Sequence, residues 1–91
     1  MITLGEKIRL ARKLKEKTIK EYSKECGCSS TLIDLMENNK SSVSSKTVQK
    51  LYEDLSKASF FITNVEKALY ATYDENKAEG LLKDLVKLII F

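Results

Sequence analysis

Two cysteines, Cys26 and Cys28, carry the most reactive side chains of this 91-residue sequence, and a single glycine separates them. Such a pair is half of a zinc site, or a redox couple. The sequence contains no other cysteine and no histidine to complete a metal site. Two interpretations stay open: a redox or metal role, and two small side chains that fill a core on either side of Gly27.

The absence of histidine also removes the commonest general base and the commonest metal ligand. No nucleophile stands at a recognisable spacing from a base, so no catalytic arrangement is indicated. We therefore predict that the chain is not an enzyme and uses neither a cofactor nor a metal.

The elements that position the two cysteines are two short helices, predicted over residues 18–26 and 29–37. Thr18, with Glu21 three residues later, is typical of a capping box, and Gly27 is the residue expected just after a helix. Ser29 is a good cap for the second helix. Two helices joined by so tight a turn cross steeply and leave the outer face of the second free to enter a groove. This pattern predicts a DNA-binding helix-turn-helix.

The rest of the sequence also has helical periodicity, and we see no strand. The first helix is predicted over residues 3–16, with Thr3 as its cap, and residues 38–40 form a turn. A fourth helix begins after Ser44 and extends to Leu55. A fifth begins after Ser59, and a last helix follows a break at residues 74–76. The predicted class is all-α, with a DNA-binding domain over residues 1–58 and C-terminal helices over residues 59–91.

Charge is unevenly distributed along the chain, whose net charge is +3. Residues 1–24 hold eight Lys or Arg against three Glu, whereas residues 59–91 hold four Lys against five acids. The basic half therefore suits an anionic partner. The longest wholly apolar run, residues 88–91, is too short to span a bilayer, and early charged residues interrupt any signal-peptide pattern. A cytoplasmic location with no membrane partner is expected.

A pattern of residue types at fixed spacing extends over residues 4–57. Its members are Leu4, Gly5, Glu6, Lys7, Ile8, Arg9, Arg12, Thr18, Gly27, Ser29, Ile33, Glu37, Asn38, Lys40, Thr47, Leu51 and Leu55. In this pattern, residues 4–57 resemble the helix-turn-helix domain of the phage repressor, Cro and Xre-like family. The resemblance implies a compact lambda-repressor-like bundle of four or five helices, with residues 29–37 as the recognition helix. It also implies a sequence-specific transcriptional regulator, a dimeric repressor of phage or mobile-element type that binds a palindromic operator.

The resemblance further implies which side chains meet DNA. Short hydroxyls at the start of the recognition helix suit phosphate or base edges, and lysines around it suit phosphates. The implied contacts are Lys17, Ile19, Lys20, Ser29, Ser30, Thr31, Asp34, Leu35, Asn38, Lys40 and Lys46. An Arg12–Glu37 ion pair is also implied, either on the DNA face or as an internal clamp.

The C-terminal third lies beyond the resemblance, and it is too apolar for one free helix face. Three interpretations stay open: a homodimer interface, packing against its own domain, and a site for another protein such as an antirepressor or toxin. The residues predicted to form the dimer interface are Phe61, Val65, Leu69, Leu81, Leu82, Leu85, Leu88, Ile89 and Phe91. A protein-interaction module that binds another regulator through residues 59–91 is the alternative function.

Overall fold

The structure, a computed structural model, describes residues 2–91, and within that range the chain is all-helical with no strand. Six helices follow one another along the chain, as the sequence predicts. They are α1 (Leu4–Leu14), α2 (Ile19–Cys26), α3 (Ser30–Glu37), α4 (Ser45–Lys50), α5 (Tyr52–Thr72) and α6 (Glu75–Ile90).

Most helix starts are set by a single capping side chain, as the sequence predicts. Thr3 and Thr18 form capping boxes with Glu6 and Glu21, so each hydroxyl and each carboxylate satisfies one backbone N–H that would otherwise be unpaired. Ser29, Ser44 and Asp74 provide the side-chain caps of α3, α4 and α6.

The prediction that Ser59 caps a helix is wrong. A single helix, α5, runs through Ser59, and the break lies at Leu51, which ends α4 and precedes α5 without a side-chain cap. Leu51 is buried, so apolar packing holds this junction where the sequence offers no polar signal. Leu55 therefore lies on α5, and the predicted boundary between residues 58 and 59 falls inside one continuous helix.

Two apolar clusters hold α1, α2, α3, α5 and α6 together, and α1 contributes to both. One cluster joins α1 to α5 and α6; its buried members are Leu10, Ala11, Ala58, Ile62, Leu82, Val86 and Ile90. The other joins α1 to α2 and α3; its buried members are Ile8, Tyr22, Ile33, Met36 and Leu51. Because α1 contributes to both clusters, α3 packs against the same helix that α5 and α6 pack against.

Candidate nucleic-acid interface

The turn between α2 and α3 is built from local backbone chemistry. Gly27 adopts the left-handed conformation, with φ of 67°, which a residue with a Cβ adopts only with strain. The N–H of Cys28 donates to the carbonyl of Ser23 at 3.0 Å and closes the end of α2. Ser29 Oγ then accepts from the N–H of Leu32 at 3.1 Å and starts α3. These contacts leave only three residues between the two helices.

One side of α3 is anchored in the core, and the other faces solvent. Ile33 and Met36 are buried, and Leu32 packs against the same cluster. The residues of the opposite side follow the helical repeat and form one stripe, which we call the α3 outer stripe. Its members are Ser30, Thr31, Asp34 and Asn38, which are all exposed, with the half-buried Leu35 at its edge.

A cluster of two arginines and one glutamate fixes the end of α3 against α1. Arg12 holds Glu37 by two hydrogen bonds, Nε to Oε2 at 2.7 Å and Nη2 to Oε1 at 3.0 Å. Arg9 adds a third, Nε to Oε1 at 3.1 Å. The side chain of Glu37 has no exposed surface, so the pair is an internal clamp and not part of the α3 outer stripe.

Arg9 and Asn38 extend this cluster to the surface, and the sequence interpretation missed the contact of Arg9. Arg9 Nη2 donates to Asn38 Oδ1 at 2.9 Å, and Asn38 Nδ2 donates to the carbonyl of Asp34 at 2.9 Å and to its Oδ1 at 3.3 Å. Arg9 precedes Arg12 by three residues and so shares its helix face, which is the signal that could have revealed it.

The lysines predicted to meet phosphates are at the surface. Lys20, Lys40 and Lys46 are exposed and Lys17 is half-buried, and the carbonyl of Lys17 accepts from Arg12 Nη1 at 2.9 Å. None of these lysines lies on α3 itself, where Asp34 and Glu37 are the only charged residues. Ile19 packs its side chain against the second apolar cluster and so contributes to the core.

The two cysteines pack against the second apolar cluster, which contains the buried residues of α2 and α3. Both are free thiols and half-buried, and Cys28 Sγ lies 3.7 Å from the carbonyl of Cys26. Burial raises the pKa of the Cys26 thiol, and the neighbouring Cys28 raises it further. The raised pKa disfavours the reactive thiolate. Within residues 2–91, no group of three or more His, Cys, Asp or Glu is arranged to hold a metal ion.

The residues predicted for the dimer interface differ in how deeply they are buried. Leu82 is buried in the first apolar cluster, and Phe61, Val65 and Leu69 pack against it, so these four serve the interior of their own chain. Leu81 is half-buried. The C-terminal part of α6 exposes apolar side chains to solvent, with Leu88 78% exposed and Phe91 80% exposed. We call the exposed set the α6 surface; its members are Leu85, Leu88, Ile89 and Phe91. The ring of Phe91 lies 4.7 Å from the guanidinium carbon of Arg9.

Comparison with protein-family models, with characterised proteins and with solved structures finds no match to this chain. In the part of the chain that the structure describes, no helix has both the length and the apolar character needed to cross a bilayer.

Proposed function

We propose that this chain is a sequence-specific DNA-binding transcriptional regulator, a dimeric repressor of phage or mobile-element type that inserts α3 into the major groove. The observation that carries the proposal is the α3 outer stripe. It stands exposed on a helix whose other side is held by the core and whose end is clamped by Arg12. A rigid helix with a free face is what direct readout of base edges requires.

The chemistry of the surroundings also suits DNA. Ser30 and Thr31 place hydroxyls at the first turn of α3, where the positive end of the helix dipole favours phosphate. Exposed lysines follow in the neighbouring segments, with Lys40 directly after α3 and Lys46 in the first turn of α4. Their charges would supply the sequence-independent part of the affinity.

A second copy of the chain would complete the site. The α6 surface exposes apolar side chains that their own chain covers only in part, and two such surfaces related by a two-fold axis would cover each other. A two-fold dimer that binds DNA sets its recognition helices about one helical turn apart, roughly 34 Å, and binds a palindromic site.

Selection of bound duplexes from a random pool at two salt concentrations, combined with the mass of the complex, tests this function. We expect a palindromic consensus, two protomers per duplex, and log affinity that falls linearly with log salt. Lys40→Gln should reduce the salt slope by about one without changing the consensus, whereas Lys57→Gln, an exposed lysine of α5, should change neither. Failure to enrich any duplex at low salt would refute the function.

The exposed α6 surface and the absence of a cation on α3 favour a second candidate function. In it, the chain is an interaction module, an antirepressor or antitoxin, that binds another regulator through residues 59–91. Stable co-purification with a different protein, together with no enrichment of duplexes at low salt, would favour this candidate over the first.

A further inference from the structure

We propose that Asp34 determines base specificity by accepting a hydrogen bond from the amino group of a cytosine in the major groove. The inference rests on the proposed DNA-binding function and assigns one base to one residue. Asp34 is the only acidic side chain on the α3 outer stripe, because the other acid of α3, Glu37, is buried in its arginine clamp.

The position of Asp34 brings its carboxylate to the middle of the stripe. Ser30 precedes it by one turn and Asn38 follows it by one turn, and all three are exposed. A helix that enters the groove with this stripe would place the carboxylate between the bases and remove water from it. An ionised carboxylate that loses its water without gaining a donor is strongly unfavourable, so the site needs a donor on the DNA.

The orientation of the carboxylate is set by a chain of hydrogen bonds that begins on α1. Arg9 binds both Glu37 and the side-chain oxygen of Asn38, which fixes the orientation of the Asn38 amide. The Asn38 amide nitrogen then donates to Asp34 Oδ1 at 3.3 Å. Asn38 is thus a positioning residue, with both ends of its amide engaged inside the protein. The Asp34 carboxylate keeps most of its acceptor capacity for another donor.

The choice of cytosine follows from the edges that the four bases present. An ionised carboxylate can only accept hydrogen bonds, so the two acceptors of guanine and the O4 of thymine repel it. Adenine offers an amino group but places its N7 acceptor beside it. Cytosine offers the N4 amino group without an adjacent acceptor, and it is the base that carboxylates bind in the major groove.

The test compares the consensus sequences selected by four proteins: the wild type, Asp34→Asn, Asn38→Ala and Asp84→Asn. Asp84 is an exposed aspartate of α6, so Asp84→Asn makes the same change of charge away from α3. We expect the wild type to prefer cytosine at one position of each half-site by at least about fivefold. Asp34→Asn should change that position to adenine, because an amide binds adenine N6 and N7. Asn38→Ala should weaken the preference at that position alone, and Asp84→Asn should leave the consensus unchanged.

The outcomes separate this inference from the function on which it rests. Two results would overturn the role of Asp34 and keep the DNA-binding function. In the first, the wild type and Asp34→Asn select the same clear consensus. In the second, the position that Asp34→Asn changes is not cytosine in the wild-type consensus. No consensus for the wild type would overturn both. Circular dichroism of each variant, expected to match the wild type because the substituted side chains are exposed, shows that any change lies in recognition and not in folding.

Discussion

Arg12 and Glu37 join the first and third helices through two parallel hydrogen bonds, with the glutamate side chain fully buried. The planar guanidinium fits both carboxylate oxygens at once, which fixes the distance and the angle between the two groups. The last residue of α3 is thereby tied to the last turn of α1. The clamp, together with the apolar cluster below it, holds the outer stripe of α3 in one orientation.

Replacing Glu37 with Gln should destabilise the fold strongly. The change leaves two arginines close together with no anion between them, and removing one partner of a buried pair costs about 3–5 kcal/mol. Urea unfolding followed by circular dichroism measures this loss. The matched control is Glu25→Gln, which removes the exposed pair with Lys15 and should cost less than about 1 kcal/mol. Equal losses for the two variants would show that the clamp does not stabilise α3.

Replacing Gly5 with Ala should also be destabilising, because α1 approaches the end of α3 closely at this residue. An added Cβ would lie 2.6 Å from Asn39 Oδ1 and 2.8 Å from the carbonyl oxygen of Glu37, and nearer still to the carbonyl of Met36. Backbone atoms cannot move aside as a flexible side chain can, so we expect a loss of about 1–3 kcal/mol.

Gly80→Ala is the matched control for Gly5→Ala. Gly80 lies inside α6, and nothing stands within 4 Å of its added Cβ. Alanine should therefore stabilise α6 by up to about 1 kcal/mol. Thermal unfolding of the two variants should thus move in opposite directions. A Gly5→Ala protein as stable as the wild type would contradict the close contact between α1 and α3.

Local chemistry explains which parts of the fold could be predicted from sequence. Ser29 and Gly27 each act through their own backbone or their nearest neighbours, so the turn and the start of α3 can be identified from residue types alone. Asn39 lies in the predicted turn with a φ of 58°, which asparagine tolerates. The helix start predicted at Ser59 was wrong because serine caps helices well but is also tolerated within a helix. The break that the structure has lies at Leu51, whose apolar side chain cannot cap a helix.

The candidate site depended more on contacts between distant residues. The Arg12–Glu37 pair followed from the family resemblance, since no local rule joins residues 25 positions apart. The Arg9–Asn38–Asp34 chain depends on side-chain geometry that only the fold creates. Burial of Leu82 could not be separated from exposure of Leu85 by sequence, because the apolar face of α6 is wider than the part that α1 and α5 cover.

Leu88→Lys should abolish the proposed dimer without unfolding the chain. Leu88 is among the most exposed apolar residues of α6, so its replacement removes no contact of the chain's own core but places two charges in the proposed interface. Sedimentation equilibrium should give a dimer for the wild type and a monomer for the variant, with unchanged helicity. Tyr52→Lys, at a site that is 67% exposed at the start of α5, should remain dimeric. A monomeric wild type would contradict the interface.

Base recognition by the outer stripe of α3 is tested most directly by comparing the duplexes selected by Thr31→Ala and Thr63→Ala. Both threonines are exposed and helical, but Thr31 lies on the stripe and Thr63 on α5. We expect Thr31→Ala to change the preferred base at one or two positions of each half-site, and Thr63→Ala to select the wild-type consensus. An identical consensus from both variants, or no selected duplex from the wild type, would contradict the account.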